Sequence, residues 1–297
     1  MSAIKDTRGD KVFTAIVYVL VAFVFLIVLY PLIYVLSSSI SNPSAVASGE
    51  VWLLPKGISF AGYRRVFQDR DIITGYLNSI YYTVVGTLLD LVVTVPAGYA
   101  LSHKDLPGRK IFTGIFMFIM YFSGGLIPCF LLVKSIGLYN TRAIIIILGA
   151  FSTYNCIICQ TFFGAMPPEM EEAASIDGCS PSRCFVQIIL PLSKALLGVM
   201  VLYFAVSHWN SYFQAMIYET GTERMPLQVI LRRILVLEET TAAMNEMGAD
   251  EFLADQYNVQ QLIKYSVIVV SSLPVLVLYP FLQKYFDKGV MIGSVKG

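Results

Sequence analysis

Met166–Pro191 reads MPPEMEEAASIDGCSPSRCFVQIILP, and its punctuation predicts two short helices joined by an elbow. Pro167 and Pro168 suit a first turn, where a missing N–H costs no hydrogen bond. Glu169, Glu171 and Glu172 put negative charge at the positive end of the helix dipole. Gly178 suits the left-handed residue that follows a last turn. Ser180 then suits an N-cap, with Pro181 at the first helical position, and Phe185, Ile188, Ile189 and Leu190 carry the second helix into an apolar run. A short polar helix between apolar runs can transmit force from a partner. On its residues alone the stretch also fits an amphipathic interfacial loop.

Outward from this loop the chain is apolar. Of its 297 residues 56% are hydrophobic and 14% charged, against roughly 25% charged in a soluble domain, so its solvent is lipid. A net charge of +1 gives no sign of nucleic-acid binding. The five cysteines form neither a disulfide framework nor a zinc site. Cys156 and Cys159 make a C-x-x-C between apolar residues and read as small packing hydrophobes.

Six apolar runs are visible: Val12–Leu36, Tyr76–Leu101, Ile111–Val133, Ala143–Phe163, Leu190–Tyr212 and Leu262–Phe286. At about 1.5 Å per residue the first reaches roughly 37 Å, more than the roughly 30 Å hydrocarbon core. Ala45-Val46-Ala47 mimics a signal-peptide cleavage site, but a secretory apolar region is only about 7–15 residues long, so the run reads as an uncleaved span. Pro96 and Gly98 interrupt the second run and Pro128 the third. Such breaks border a solute path or are plain packing kinks.

Six spans place both termini on one side. Lys and Arg in the tails and in the 102–110 and 164–187 loops nearly tie in number with those opposite, but they sit in shorter segments against span ends, which marks them as cytoplasmic. The expected layout is a cytoplasmic tail 1–11, a six-helix transmembrane domain 12–286 and a cytoplasmic tail 287–297. Within the domain lie the loop 164–189 and two long outer loops, 38–75 and 213–261. The second outer loop is acidic and partly structured, a solvated loop or a docking surface.

The loop resembles the EAA loop of bacterial ABC importer permeases: Glu172-Ala173-Ala174, then Asp177-Gly178, then Ile188, Leu190 and Pro191 stand at that pattern's spacings. Four further segments resemble the carbohydrate branch, namely the smaller maltose-type permease and the complex-polysaccharide and lipoprotein-type permeases. They are Gly124-Gly125-Leu126-Ile127-Pro128, Gly137-Leu138-Tyr139-Asn140-Thr141, Trp209-Asn210-Ser211-Tyr212-Phe213, and the tail from Gly289 to Gly297. Asp90 departs from the pattern, since such permeases more often carry a neutral residue there.

The resemblance implies an all-α membrane protein with six transmembrane helices, the type I ABC importer permease fold with a cytoplasmic EAA coupling helix. It implies the bacterial plasma (inner) membrane, crossed several times with both termini cytoplasmic. The implied partners are a second permease subunit, two ATPase subunits, an extracellular solute-binding protein, a sugar and membrane lipid. The chain is then not an enzyme. It has no G-x-x-x-x-G-K-[ST] loop to cradle phosphates, so ATP and Mg belong to the ATPase and this chain carries no cofactor or metal. Carried over to this sequence, Glu172 pairs with a basic residue of the ATPase, Ala173 and Ala174 allow close approach, and Asp177 and Gly178 form the pivoting elbow. The Lys296 tail reaches the ATPase or simply frays.

The candidate substrate pathway is Trp209, Asn210, Tyr212, Gly125 and Asp90. Trp209 and Tyr212 fit sugar stacking and equally an interfacial aromatic belt. Asp90 is the single acid inside a run. It is a functional candidate by position or one half of a hydrogen bond between helices.

Two rivals stand beside the importer. An intramembrane protease lacks its parts: His103 and His208 are the only histidines, and Tyr121 precedes Ser123-Gly124 where a rhomboid-type serine motif has glycine. An ion-coupled secondary transporter would use Asp90, but six spans without an internal repeat fit inverted-repeat designs poorly.

Overall fold

The computed structural model describes residues 7–246, 263–280 and 283. No strand occurs among them. The helices are α1 Arg8–Ser39, α2 Pro43–Ala47, α3 Ala61–Gln68, α4 Arg70–Ser102, α5 Arg109–Tyr121, α6 Leu126–Ser135, α7 Arg142–Ile147, α8 Thr153–Gly164 and α9 Glu169–Ile176. They continue as α10 Pro181–Leu192, α11 Lys194–Trp209, α12 Phe213–Tyr218, α13 Leu227–Glu246 and α14 Ile263–Pro280. The chain divides into two compact units, residues 1–70 with 231–271, and 71–230 with 272–297.

In the first unit, α1 opens on a capping box. The Thr7 hydroxyl accepts from the Asp10 amide at 3.3 Å, and the Asp10 carboxylate accepts from the Thr7 amide at 2.8 Å. The expected boundary at residue 11 therefore falls inside a helix. Past the helix, the 38–75 loop folds back on serines: Ser37 Oγ donates to the Leu53 carbonyl at 2.6 Å, and the Lys56 amide donates to Ser41 Oγ at 3.1 Å.

In the second unit, α4 is one continuous helix of 33 residues that passes through Pro96 and Gly98 without interruption. Where the sequence suggests a break, neighbours instead fill the face left by small residues. A side chain on Gly98 would meet Cys159 and the Cys156 carbonyl. Two apolar clusters flank this helix. One gathers Tyr82, Val133, Ile144, Ile145, Ala215 and Tyr218, the other Val95, Cys159, Phe163, Ala174, Cys184 and Met200. Cys156, Cys159 and Cys184 are thus packing groups, as their apolar setting suggests.

Three of the six apolar runs are not single helices. The third bends by 115° between α5 and α6. The break is Phe122–Gly125, where Gly125 sits at φ +83°, and Pro128 lies in the first turn of α6, where its missing N–H costs nothing. The expected interruption at Pro128 is therefore displaced onto the glycines before it. The fourth run is two helices, α7 and α8, the latter capped by Ser152. The fifth bends by 84° at Ser193, between α10 and α11. A π turn over Phe185–Ile189 precedes Pro191, which has no N–H to donate. Among the described residues, α1, α4 and α14 are long and apolar enough to cross a membrane as continuous helices. The tail 287–297, including Lys296, and residues 247–262 of the second outer loop lie outside the described residues.

Candidate functional site

The loop at 164–189 folds into two short helices joined by the expected glycine elbow, but Pro167 and Pro168 stand before the first helix rather than in its first turn, and the Ser180 side chain makes no capping bond. α9 starts after Pro168, whose carbonyl accepts from the amides of Glu171 and Glu172 at 3.0 and 3.1 Å. It ends on Gly178 at φ +77°, with the Cys179 amide donating to Ala174 at 2.9 Å and the Gly178 amide to Ser175 at 3.0 Å. Those two bonds are the Schellman closure, which needs a left-handed residue at Gly178. Ser180 then opens α10 with Pro181 in the first turn.

The helix has two unlike faces. Glu172, Ala173 and Asp177 are exposed, and Ile176 is 87% exposed. Ala174 is buried among Phe163, Cys184 and Met200. Of the two alanines expected to admit a partner, only Ala173 is free to do so, because Ala174 anchors the helix to its own subunit.

A second anchor joins α9 to the end of α4. His103 Nε2 lies 2.8 Å from Glu171 Oε2, and His103 Nδ1 lies 2.9 Å from the Tyr99 carbonyl oxygen. Burial disfavours the charged imidazole, but the bond to Glu171 and the bond to the Tyr99 backbone outweigh it. The His103 pKa is therefore raised above the usual histidine value. Nothing in the periodicity ties residue 103 to residue 171, so sequence reasoning missed this pair.

Asp90 is buried and paired. His208 Nε2 lies 2.9 Å from Asp90 Oδ2, both side chains at most 5% exposed. The imidazole occupies a slot that exists because Gly86 and Gly149 have no side chains, and a Cβ on either would press on the ring. Asp90 thus serves as a link between α4 and α11. The partner was discernible as the single histidine inside an apolar run.

The remaining candidates are spread out. Trp209 is 4% exposed, stacks edge-on against Tyr76 at 5.6 Å, and walls an apolar cavity of about 370 Å³ with Thr83, Thr87, Ala205 and Pro274. Its ring is not an open sugar platform in this conformation. Asn210 is exposed, and its side-chain amide donates to the Val206 carbonyl at 2.9 Å. Tyr212 is 41% exposed. Gly125 forms the bend before α6 and shares no described contact with the others. A clamp that the sequence did not show closes the far end of α4: Asn78 donates to the Glu223 carbonyl at 2.8 Å, Tyr82 to the Arg224 carbonyl at 2.8 Å, and the Leu227 amide to Ser79 at 2.9 Å.

Three apolar helices long enough to cross a membrane, and a short half-anchored helix exposed beside a glycine elbow, are the build of an integral membrane protein. The chain belongs to the family of binding-protein-dependent transport system inner membrane components, matched over residues 1–292. It is 36% identical over 292 residues to Protein LplC of Bacillus subtilis, covering 98% of this chain and 97% of the relative. It is 37% identical over 289 residues to the polygalacturonan/rhamnogalacturonan transport system permease protein YtcP of the same organism, covering 97% and 99%. A solved bacterial ABC transporter that imports the acidic polysaccharide alginate contains a chain that matches with a TM-score of 0.84 at 36% identity, covering 96% of this chain and 100% of that one. The fold is that of a type I importer permease, and the chain is a carbohydrate ABC-importer permease of the membrane.

Proposed function

We propose that this chain forms one half of the translocation pathway for an oligosaccharide or polysaccharide fragment. Its partners are a second permease, two ATPases that hold ATP and Mg, and an extracellular binding protein. Two of the relatives named above, one described as a polygalacturonan/rhamnogalacturonan transport permease and one from an alginate importer, support a carbohydrate polymer as the source of the solute. All six runs cross the membrane, two of them as bent pairs and one as α7 with α8, with both termini on the cytoplasmic side.

One observation carries the coupling assignment: α9 is held from behind by Ala174 while Glu172, Ala173 and Ile176 face outward. An isoleucine 87% exposed on a helix that also exposes Glu169 and Glu172 is covered in use by protein rather than lipid. ATP-driven closure of the ATPases draws the two coupling helices together and rocks the spans between states. That motion requires α9 to bind differently in each state.

The test is co-purification with the ATPase and hydrolysis in lipid discs, comparing wild type with the Glu172→Lys, Gly178→Asp double variant. Stimulated hydrolysis that collapses in the variant places coupling in this loop. An intact chain that brings no ATPase with it, and a variant that still transports, would refute the reading.

A further inference from the structure

The three acids of the α9 first turn do different things. Glu169 and Glu172 are exposed, whereas Glu171 turns inward onto His103, one residue beyond the last residue of α4. His103 is well placed to hold both helices. Its Nδ1 faces the Tyr99 carbonyl, one of the four oxygens that a helix end leaves without a backbone donor and one that also accepts from Ser102 Oγ at 2.6 Å. Its Nε2 faces the carboxylate. Only an imidazole with protons on both nitrogens donates to both acceptors at once. A cation is favoured at the C-terminal end of α4, and a carboxylate at the N-terminal end of α9.

The terminus it grips is itself fixed. The Leu101 carbonyl accepts from Arg109 Nε at 2.7 Å and from Gln160 Nε2 at 3.2 Å, which ties the end of α4 to α5 and α8. The Tyr99 ring lies 4.7 Å from the His103 ring, 4.6 Å from Phe185 and 5.4 Å from Phe163. From this knot α4 runs unbroken for 33 residues, roughly 50 Å at helical rise, past the Asp90–His208 link to the clamp at Leu227.

We infer that His103 is a positioning residue for energy coupling: its bridge between Glu171 and the end of α4 delivers the displacement of the coupling helix to the long central helix of the permease. The inference rests on the proposed docking of α9 on an ATPase. Glu172 is then the outward handle of α9 and half-buried Glu171 the inward one, about 100° apart around the helix. Ala174, packed in one cluster with Val95 of α4, and the side-chain hydrogen bond between Tyr99 and Glu171 keep α9 attached when the His103 bridge is cut, so cutting it leaves assembly intact.

The experiment uses the complete importer in lipid discs and compares nucleotide-free with ATP–vanadate-trapped states by hydrogen exchange, a probe that needs no knowledge of the sugar. In wild type, trapping changes exchange both in residues 169–176 and in residues 95–106. In His103→Leu the complex still assembles and traps, and the change in 169–176 persists. The change in 95–106 falls roughly tenfold, the size expected of a single coupling contact. Glu171→Gln, which leaves α4 untouched and keeps the side-chain shape, reproduces that loss. His103→Arg, which restores a cation able to reach the carboxylate, recovers it. Undiminished change in 95–106 in a trapped His103→Leu complex overturns the inference and leaves the importer reading standing. A wild-type chain that recruits no ATPase overturns both together.

Discussion

α1 and α4 are nearly the same length, 32 and 33 residues, and they are used in opposite ways. α1 is the more apolar, yet none of the residues in its most apolar stretch is buried in the subunit, against 39% for α4. α4 carries Asn78, Ser79, Thr87, Asp90 and Thr94 on its buried positions, together with Gly75, Gly86 and Gly98. In water the more apolar helix would be the core. In lipid, apolar surface gains nothing by leaving its surroundings, and helices associate through close fit and hydrogen bonds. The less apolar helix is therefore the organiser, and α1 keeps its apolar surface for the bilayer.

The contrast breaks most sharply at Asp90. Asp90→Leu leaves His208 buried without its partner and costs on the order of 3–5 kcal/mol, read as a lower unfolding midpoint in mild detergent. Asp90→Leu with His208→Leu recovers much of the loss if the pair is a structural link, whereas no recovery would mark Asp90 as acting on something else. Next comes Gly86→Val, whose side chain meets the His208 ring, expected to cost about 1–3 kcal/mol as overpacking. Ala22→Val in exposed α1 stays within about 0.5 kcal/mol, and an equal cost at both sites would erase the distinction drawn here. Tyr82→Phe removes only the bond to the Arg224 carbonyl, worth about 1 kcal/mol.

The smallest effect is a pH dependence. His103 has a raised folded pKa, so its stabilisation is complete below its unfolded pKa of about 6.5. It fades as pH rises through the folded value. Glu171 and Asp105 are the acids that favour the charged ring. The ring is 38% exposed, which keeps the effect small. The unfolding midpoint of wild type should fall relative to His103→Arg as pH is raised from 6 to 9.

The loop at 164–189 was legible because its stop and start signals are local: Pro168, Gly178 and Ser180 act through their own backbone, and the elbow stands where they put it. The apolar runs were legible as runs but not as helices, since composition alone does not separate a straight span from one bent at Ser193 or broken at Gly125. Ala174 and Ala173 look alike in sequence, and only packing against Phe163 and Cys184 assigns them opposite faces. The pairs that fasten the molecule, Asp90 with His208 and His103 with Glu171, join residues 118 and 68 apart, and no pattern of short period reaches so far. Trp209 was read by its position at a span end, which says nothing of the cavity it closes.

That separation of 118 residues also has a meaning in time. At roughly 5–20 residues per second, Asp90 leaves the ribosome about 6–24 seconds before His208 exists. α1, with nothing polar in its middle to satisfy, can rest in lipid from the moment it is made. α4 enters the bilayer with a carboxylate whose partner in the folded chain comes only with the fifth apolar run. Over that interval the newborn chain depends on water, on a threonine of its own helix or on the insertion machinery to shelter the carboxylate. A chain stalled between residues 90 and 208 accordingly carries Asp90 without its histidine.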